Sequence, residues 1–166
     1  MKSNSILATI LLIICALCFI QTAYYYPLLP ERVPSHFGTA GRPDTWSTKN
    51  FFVISYLVVV AVSSVFFLCL SLGLSRMPGS LINLPHKEFW LAPEQKEKTL
   101  TFLSQYFLRF ASATALLLFA VFNQSMHVAL GKAQAFSHPL VSLVIYLVLI
   151  LVWTVQVVIK FGNPHH

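Results

Sequence analysis

Apolar residues in this chain gather into four long runs, over residues 6–26, 51–74, 100–124 and 139–161, with polar residues confined mainly to the intervals between them. Each run reaches the roughly 20 residues a helix needs to cross a hydrocarbon core of about 30 Å. None shows the alternating segments of about ten residues that mark a membrane β-barrel. The pattern therefore predicts an all-α membrane protein with four transmembrane helices, a single four-helix membrane domain over residues 1–166. The first run begins like a secretion signal, with Lys2 ahead of apolar residues. It has no small-x-small cleavage pattern before Tyr24, and Ile14 and Leu17 are not the small residues a lipoprotein signal places before Cys15 or Cys18. It is expected to be a permanent span.

The intervals carry their own signals. Tyr24, Tyr25 and Tyr26 suit a membrane interface, and Pro27 stops the first helix because it lacks an amide hydrogen. The interval 27–50 holds five charges, Glu31, Arg32, Arg42, Asp44 and Lys49. Within it Val33, Ser35 and Phe37 alternate with Pro34 and His36, which predicts a short extended piece. Turns are expected at residues 38–41 and again at Pro43-Asp44, with Trp46 returning to the interface. The interval 75–99 threads apolar residues between charges and reads as an interfacial loop with Phe89 and Trp90 at the wet edge. Pro93 suits an early helical position, Glu94 and Glu97 the positive end of the helix dipole, and Glu94 can pair with Lys98. Residues 125–138 form the third loop, and Pro139 opens the fourth helix.

Composition agrees with a bilayer setting. The chain is 57% hydrophobic and 10% charged, against roughly 45–50% and about 25% in soluble proteins. The net charge of +6 therefore reads as an orientation signal and implies no nucleic acid. Lys2, Arg76, Lys87, Lys96, Lys98 and Lys160 lie on one side; Arg32, Arg42, Lys49 and Lys132 lie on the other. The positive-inside rule then puts both termini and the loop 75–99 in the cytoplasm and residues 27–50 outside the cytoplasmic membrane of a multi-pass protein.

Candidate chemistry is sparse. Arg109 is the one charge deep inside a run, Lys160 lying at the very end of the fourth, and Gln105, Arg109, Ser112 and Asn123 share a helical stripe. Intramembrane charges face a bundle interior or an aqueous cavity, which would suit a small oligomeric transporter or channel. The simpler reading is an arginine snorkelling to headgroups while its polar neighbours bond between helices. Cys15 and Cys18 have a redox-type spacing, but only Cys69 remains as a thiol to exchange with, so they read as small packing residues. The histidines His36, His86, His127, His138, His165 and His166 show no metal-ligand spacing within one helix. An enzyme would need His36, Glu31 and Asp44 to converge on a metal. No catalytic residue, metal or cofactor is expected.

The string Leu29-Pro30-Glu31-Arg32-Val33-Pro34-Ser35-His36-Phe37, continued by Gly41-Arg42-Pro43-Asp44-Thr45-Trp46-Ser47-Thr48-Lys49, resembles the signature of a bacterial membrane domain of unknown function, number sixteen forty-eight. That domain also forms the N-terminal part of SdpI-like toxin-immunity proteins. Lys87-Glu88-Phe89-Trp90-Leu91-Ala92-Pro93-Glu94 is similar to a string that recurs in its smaller stand-alone members. This chain has Thr45 and Ser47 where the family pattern usually has glycine, and SdpI-like immunity proteins carry further C-terminal helices. The resemblance implies a bacterial inner-membrane location and a helical fold. The expected function is binding, sensing or accessory immunity, with Glu31, Arg32, His36, Arg42, Asp44 and Trp46 as the recognition surface. The implied partners are the lipid bilayer and an extracellular peptide or membrane protein. The sequence does not fix the oligomeric state.

Overall fold

The computed structural model describes residues 2–136 and 141–163. Helix α1 (Lys2–Tyr25) ends in a 3-10 turn over Tyr26–Leu28, followed by strands β1 (Arg32–Phe37) and β2 (Pro43–Thr48) and helix α2 (Lys49–Gly73). Two further 3-10 turns lead to the single-turn helix α3 (Lys87–Trp90), then α4 (Pro93–Ala129) and α5 (Val141–Gly162). Helices α1, α2, α4 and α5 are each long and apolar enough to cross a membrane, so the chain has the architecture of a multi-pass membrane protein. Pro139, expected to open the last helix, lies outside the described residues, as do His138, His165 and His166.

Helices α1, α2 and α4 pack against one another, while α5 rests on α4. Their shared core contains Leu11, Ile14 and Cys18 of α1, Val53 and Tyr56 of α2, and Ala111, Ala115 and Phe122 of α4. Small residues let two of these backbones approach. Cys18 and Ala115 are both fully buried, with the Cys18 sulfur 3.9 Å from the Ala115 carbonyl oxygen. Close approach matters in lipid, where helices associate through packing and not through escape from water. The Cys18 thiol thus serves as a small packing group, and Cys15 donates to Ser64 Oγ at 3.3 Å.

At the opposite end from the hairpin lies a second cluster, with Leu74, Ile82, Leu100 and Leu103 packed around Trp90 and Phe161. Trp90 is buried, donates its indole N–H to the Phe161 carbonyl at 3.3 Å and meets the Phe161 ring edge-on. The wet-edge position expected for Trp90 is thus corrected: its polar N–H finds a backbone partner and its ring anchors the end of α5. Phe89 remains 40% exposed. The expected Glu94 to Lys98 pair does not form among the described residues.

Two boundaries also move. Helix α4 continues through Ser125 to Ala129, where a loop was expected from residue 125. Ser125 folds its hydroxyl onto the Val121 carbonyl, and Met126 is fully buried, so the polar residues extend the helix. It stops in a Schellman arrangement. Gly131 has φ 69°, its N–H reaches the Val128 carbonyl at 3.0 Å, and Lys132 N–H reaches that of His127 at 2.9 Å. A side chain resists that left-handed conformation and glycine does not. Pro43 and Asp44, expected in a turn, instead begin β2.

Candidate functional site

The insert folds into an antiparallel hairpin pairing Arg32 with Thr48, Val33 with Ser47, Pro34 with Trp46, His36 with Thr45 and Phe37 with Pro43. Ser35 and Asp44 have no opposite number, so each strand carries one extra residue, the mark of a bulge that twists a ladder and re-aims side chains. With two strands only, Pro34 leaves no interior ladder bond unmade. The tip closes through Gly41 N–H to Gly38 O at 2.8 Å and Gly38 N–H to Arg42 O at 2.9 Å. Gly41 has φ 70°, which glycine adopts freely.

Four attachments hold the hairpin to the bundle. Val33 and Leu29 are buried in the main core. Glu31 pairs with Lys49 at 2.9 Å, and the Lys49 amide donates to the Glu31 carbonyl at 3.0 Å. Thr48 caps α2 by accepting from the Phe51 amide at 3.3 Å. The chain after α4 returns to the tip, where the Phe136 ring packs at a tilt of 36° on Phe37 with centroids 4.0 Å apart, and Phe136 donates its amide to the Gly41 carbonyl at 3.0 Å.

Across the bulges, His36 Nδ1–H donates to Asp44 Oδ1 at 2.6 Å. That hydrogen bond is the main reason the Asp44 carboxyl lies below its ordinary value of 3.8. A carboxylate with a lowered folded pKa contributes stability that is fully present above its unfolded pKa and is lost as pH falls through the lowered one. Hydrogen-exchange protection around residues 36 and 45 is therefore expected to hold down to about that ordinary value and to fall below it. Asp44→Asn should remove this acid step; an identical profile in the variant would assign the step to another group.

The six residues expected to form a recognition surface divide into two sets. Glu31, His36 and Asp44 are spent on pairs within the hairpin and its root. Arg32, Arg42 and Trp46 are exposed, and their side chains make no hydrogen bond or ion pair among the described residues. Glu31 does not join His36 and Asp44, and no group of three or more His, Cys, Asp and Glu side chains able to hold a metal occurs among the described residues.

Directly beneath the hairpin a buried polar network joins three helices, a feature the sequence reading missed apart from Asn123. Gln21 donates to the Phe119 carbonyl and to Asn123 Oδ1, both at 3.3 Å, and accepts from the Tyr56 hydroxyl at 3.2 Å. Tyr25 donates its hydroxyl hydrogen to Asn123 Oδ1 at 3.1 Å. Its oxygen lies 3.2 Å from His127 Nε2, so the imidazole must supply the hydrogen of that bond, which assigns it to Nε2. Two of these residues sit four apart on α1 and two sit four apart on α4, the spacing that aligns side chains on one helix face.

The polar stripe expected on α4 splits. Asn123 belongs to this network, whereas Arg109 and Ser112 line a cleft of about 350 Å³ bordered by α1, α4 and α5. Gln105 is half-buried and joins neither.

Fold and site together define a multi-pass α-helical membrane protein with a β-hairpin clasped to one end of its bundle. Residues 13–62 match the model of the family described as Domain of unknown function (DUF1648). The match spans the later part of α1, the whole hairpin and the first half of α2, and so covers the first motif, residues 29–49, while the string 87–94 lies outside it. No curated protein matches the chain, and no solved structure does.

Proposed function

We propose that this protein is a membrane-embedded binding module, not an enzyme, in which the hairpin presents a recognition surface on the outer side of a bacterial cytoplasmic membrane. One observation carries the reading: the hairpin is clasped at root, inner face and tip, yet holds Arg32, Arg42 and Trp46 outward with no partner in the described chain. Ordering side chains costs entropy at the moment of binding, and a clasped hairpin has met much of that cost on folding. Arginine and tryptophan are also the residue types that dominate binding hot spots. Guanidinium groups and an indole exposed on one hairpin suit a carboxylate-bearing, partly apolar peptide or the exposed segment of another membrane protein. A sensing or accessory immunity role, as in SdpI-like proteins, is consistent with such a surface.

The first test concerns sidedness. Ser35 and Ser80 are both exposed, the first on the hairpin and the second at the other end of the bundle. With Cys15, Cys18 and Cys69 replaced by alanine, Ser35→Cys is expected to react in intact cells with a membrane-impermeant thiol reagent, and Ser80→Cys is not. The reverse pattern would place the hairpin in the cytoplasm and end the extracytoplasmic reading. Recognition is tested by a photo-crosslinking residue at position 46. A discrete adduct is expected in cells, and Arg42→Ala combined with Asp44→Asn should abolish it at unchanged membrane levels of the protein. An adduct that survives the double substitution would sink the proposal.

A further inference from the structure

Among the described residues Arg109 has no counter-ion. All five acidic residues, Glu31, Asp44, Glu88, Glu94 and Glu97, lie outside the apolar runs. Glu97, the closest to Arg109 along α4, is twelve residues away, roughly 18 Å at about 1.5 Å per residue. A charge at membrane depth without a partner is costly, so whatever neutralises it comes from outside the protein.

The cleft beside Arg109 is shaped to supply that partner. Its walls are almost wholly apolar, including Leu7 and Ile10 of α1, Leu116 of α4, and Ile145 and Trp153 of α5. Its volume of about 350 Å³ falls within the range of small-molecule sites, roughly 300–1,000 Å³. On α4 it extends from Arg109 to Ala120, eleven residues or about 16 Å. That is close to the depth of one leaflet, half of a core about 30 Å thick.

The charge also sits at the correct end. Asn4, near the start of α1, bonds Ser104 at 2.9 Å, and Arg109 lies only five residues beyond, roughly 7.5 Å deeper. Its long side chain can tilt back to headgroup level, while the apolar part of the cleft continues toward the hairpin. Helix α5 leaves this space unfilled, since Phe161 near its far end is its only buried residue among those described.

We infer that the cleft between α1, α4 and α5 binds an anionic phospholipid from the leaflet on the side of the chain termini. The phosphate sits on the Arg109 guanidinium, and one acyl chain lies along α4 toward Ala120. A planar guanidinium meets a phosphate through two parallel hydrogen bonds, a geometry the zwitterionic lipids satisfy less well because their own ammonium competes for the phosphate.

Native mass spectrometry of the full chain in mild detergent tests this, with phosphatidylglycerol and phosphatidylcholine of identical chains added at equal concentration. Wild type should retain phosphatidylglycerol preferentially, and Arg109→Gln should weaken that retention about tenfold, the loss expected for one charge-assisted contact. Ala120→Phe, which fills the far part of the cleft eleven residues from the charge, should lower retention of both lipids. Equal retention of the two lipids by wild type, or an unchanged preference in Arg109→Gln, would overturn the assignment. Preferential retention of a free fatty acid over phosphatidylglycerol would overturn the phosphate as the recognised group. A readout on the wild-type chain needs no folded cleft variant. Brominated phosphatidylglycerol should quench tryptophan fluorescence more than brominated phosphatidylcholine, because Trp153 lines the cleft; equal quenching counts against the site.

Discussion

Replacing Phe122 by alanine is expected to destabilise the bundle by about 3 kcal/mol, the lower end of the range for buried phenylalanine truncations. Phe122 is 2% exposed and lies between two rings of α2. It stacks on Tyr56 with centroids 3.8 Å apart and planes 11° apart, and on Phe52 at 5.4 Å and 14°. The loss comes from vanished contacts and the void they leave, because burial away from water contributes little inside lipid. A second effect follows. Tyr56 donates to Gln21, so a Tyr56 ring freed to tilt weakens the network that also holds Tyr25 and Asn123. Phe122→Leu keeps most of the volume and should cost less than about 1.5 kcal/mol. Denaturation in mixed micelles with increasing sodium dodecyl sulfate measures both variants. Equal losses in the two would mean that the ring stack on α2, and not the volume Phe122 fills, carries the whole effect.

Much of this fold was legible from hydrophobic runs alone, because in lipid a backbone must satisfy its own hydrogen bonds and a long apolar run is thereby a helix. The resemblance in the insert rested on the spacing of its Pro, Glu, Arg, His and Asp, a pattern that chemistry does not require of a simple connector, and the family match over residues 13–62 includes that stretch. Two of the misses share one physical origin: polarity was read as exposure. Ser125 and His127 looked like the start of a loop, yet Ser125 satisfies its hydroxyl locally on Val121 and His127 meets Tyr25 of α1, and both remain helical. Gly131 was the available signal, since a glycine followed by lysine is how many helices end. Trp90 looked like an interfacial anchor until Phe161, seventy-one residues away, supplied a carbonyl for its indole N–H. Pro43-Asp44 looked like a turn because its composition is that of a turn. Pairing with β1 and the His36 bond to Asp44 override that local preference, and such long-range partners leave no trace in the local sequence.

Ala115→Leu is expected to destabilise the protein by at least about 2 kcal/mol, toward the upper part of the overpacking range, through the seam between α1 and α4. Ala115 is fully buried, Ala111 one turn away is 1% exposed, and both join Cys18 in the same core. The Cys18 sulfur already lies 3.9 Å from the Ala115 carbonyl oxygen, so three added carbons can enter only by forcing the helices apart. Helical backbone restricts the new side chain mainly to two χ1 rotamers, which point it back along the same face. Separation of α1 from α4 would also stretch the contacts of Gln21 with Phe119 and Asn123, one turn further along. Overpacking of this kind has a specific remedy, because Cys18→Ala removes a sulfur that lies against the Ala115 backbone and frees space in the same seam. Alone, Cys18→Ala should lower stability modestly by leaving a small void. Combined with Ala115→Leu it should recover part of the loss, giving a favourable coupling between the two sites in a double-mutant cycle. Simple additivity of the two substitutions in micelle denaturation would show that the seam does not depend on this contact.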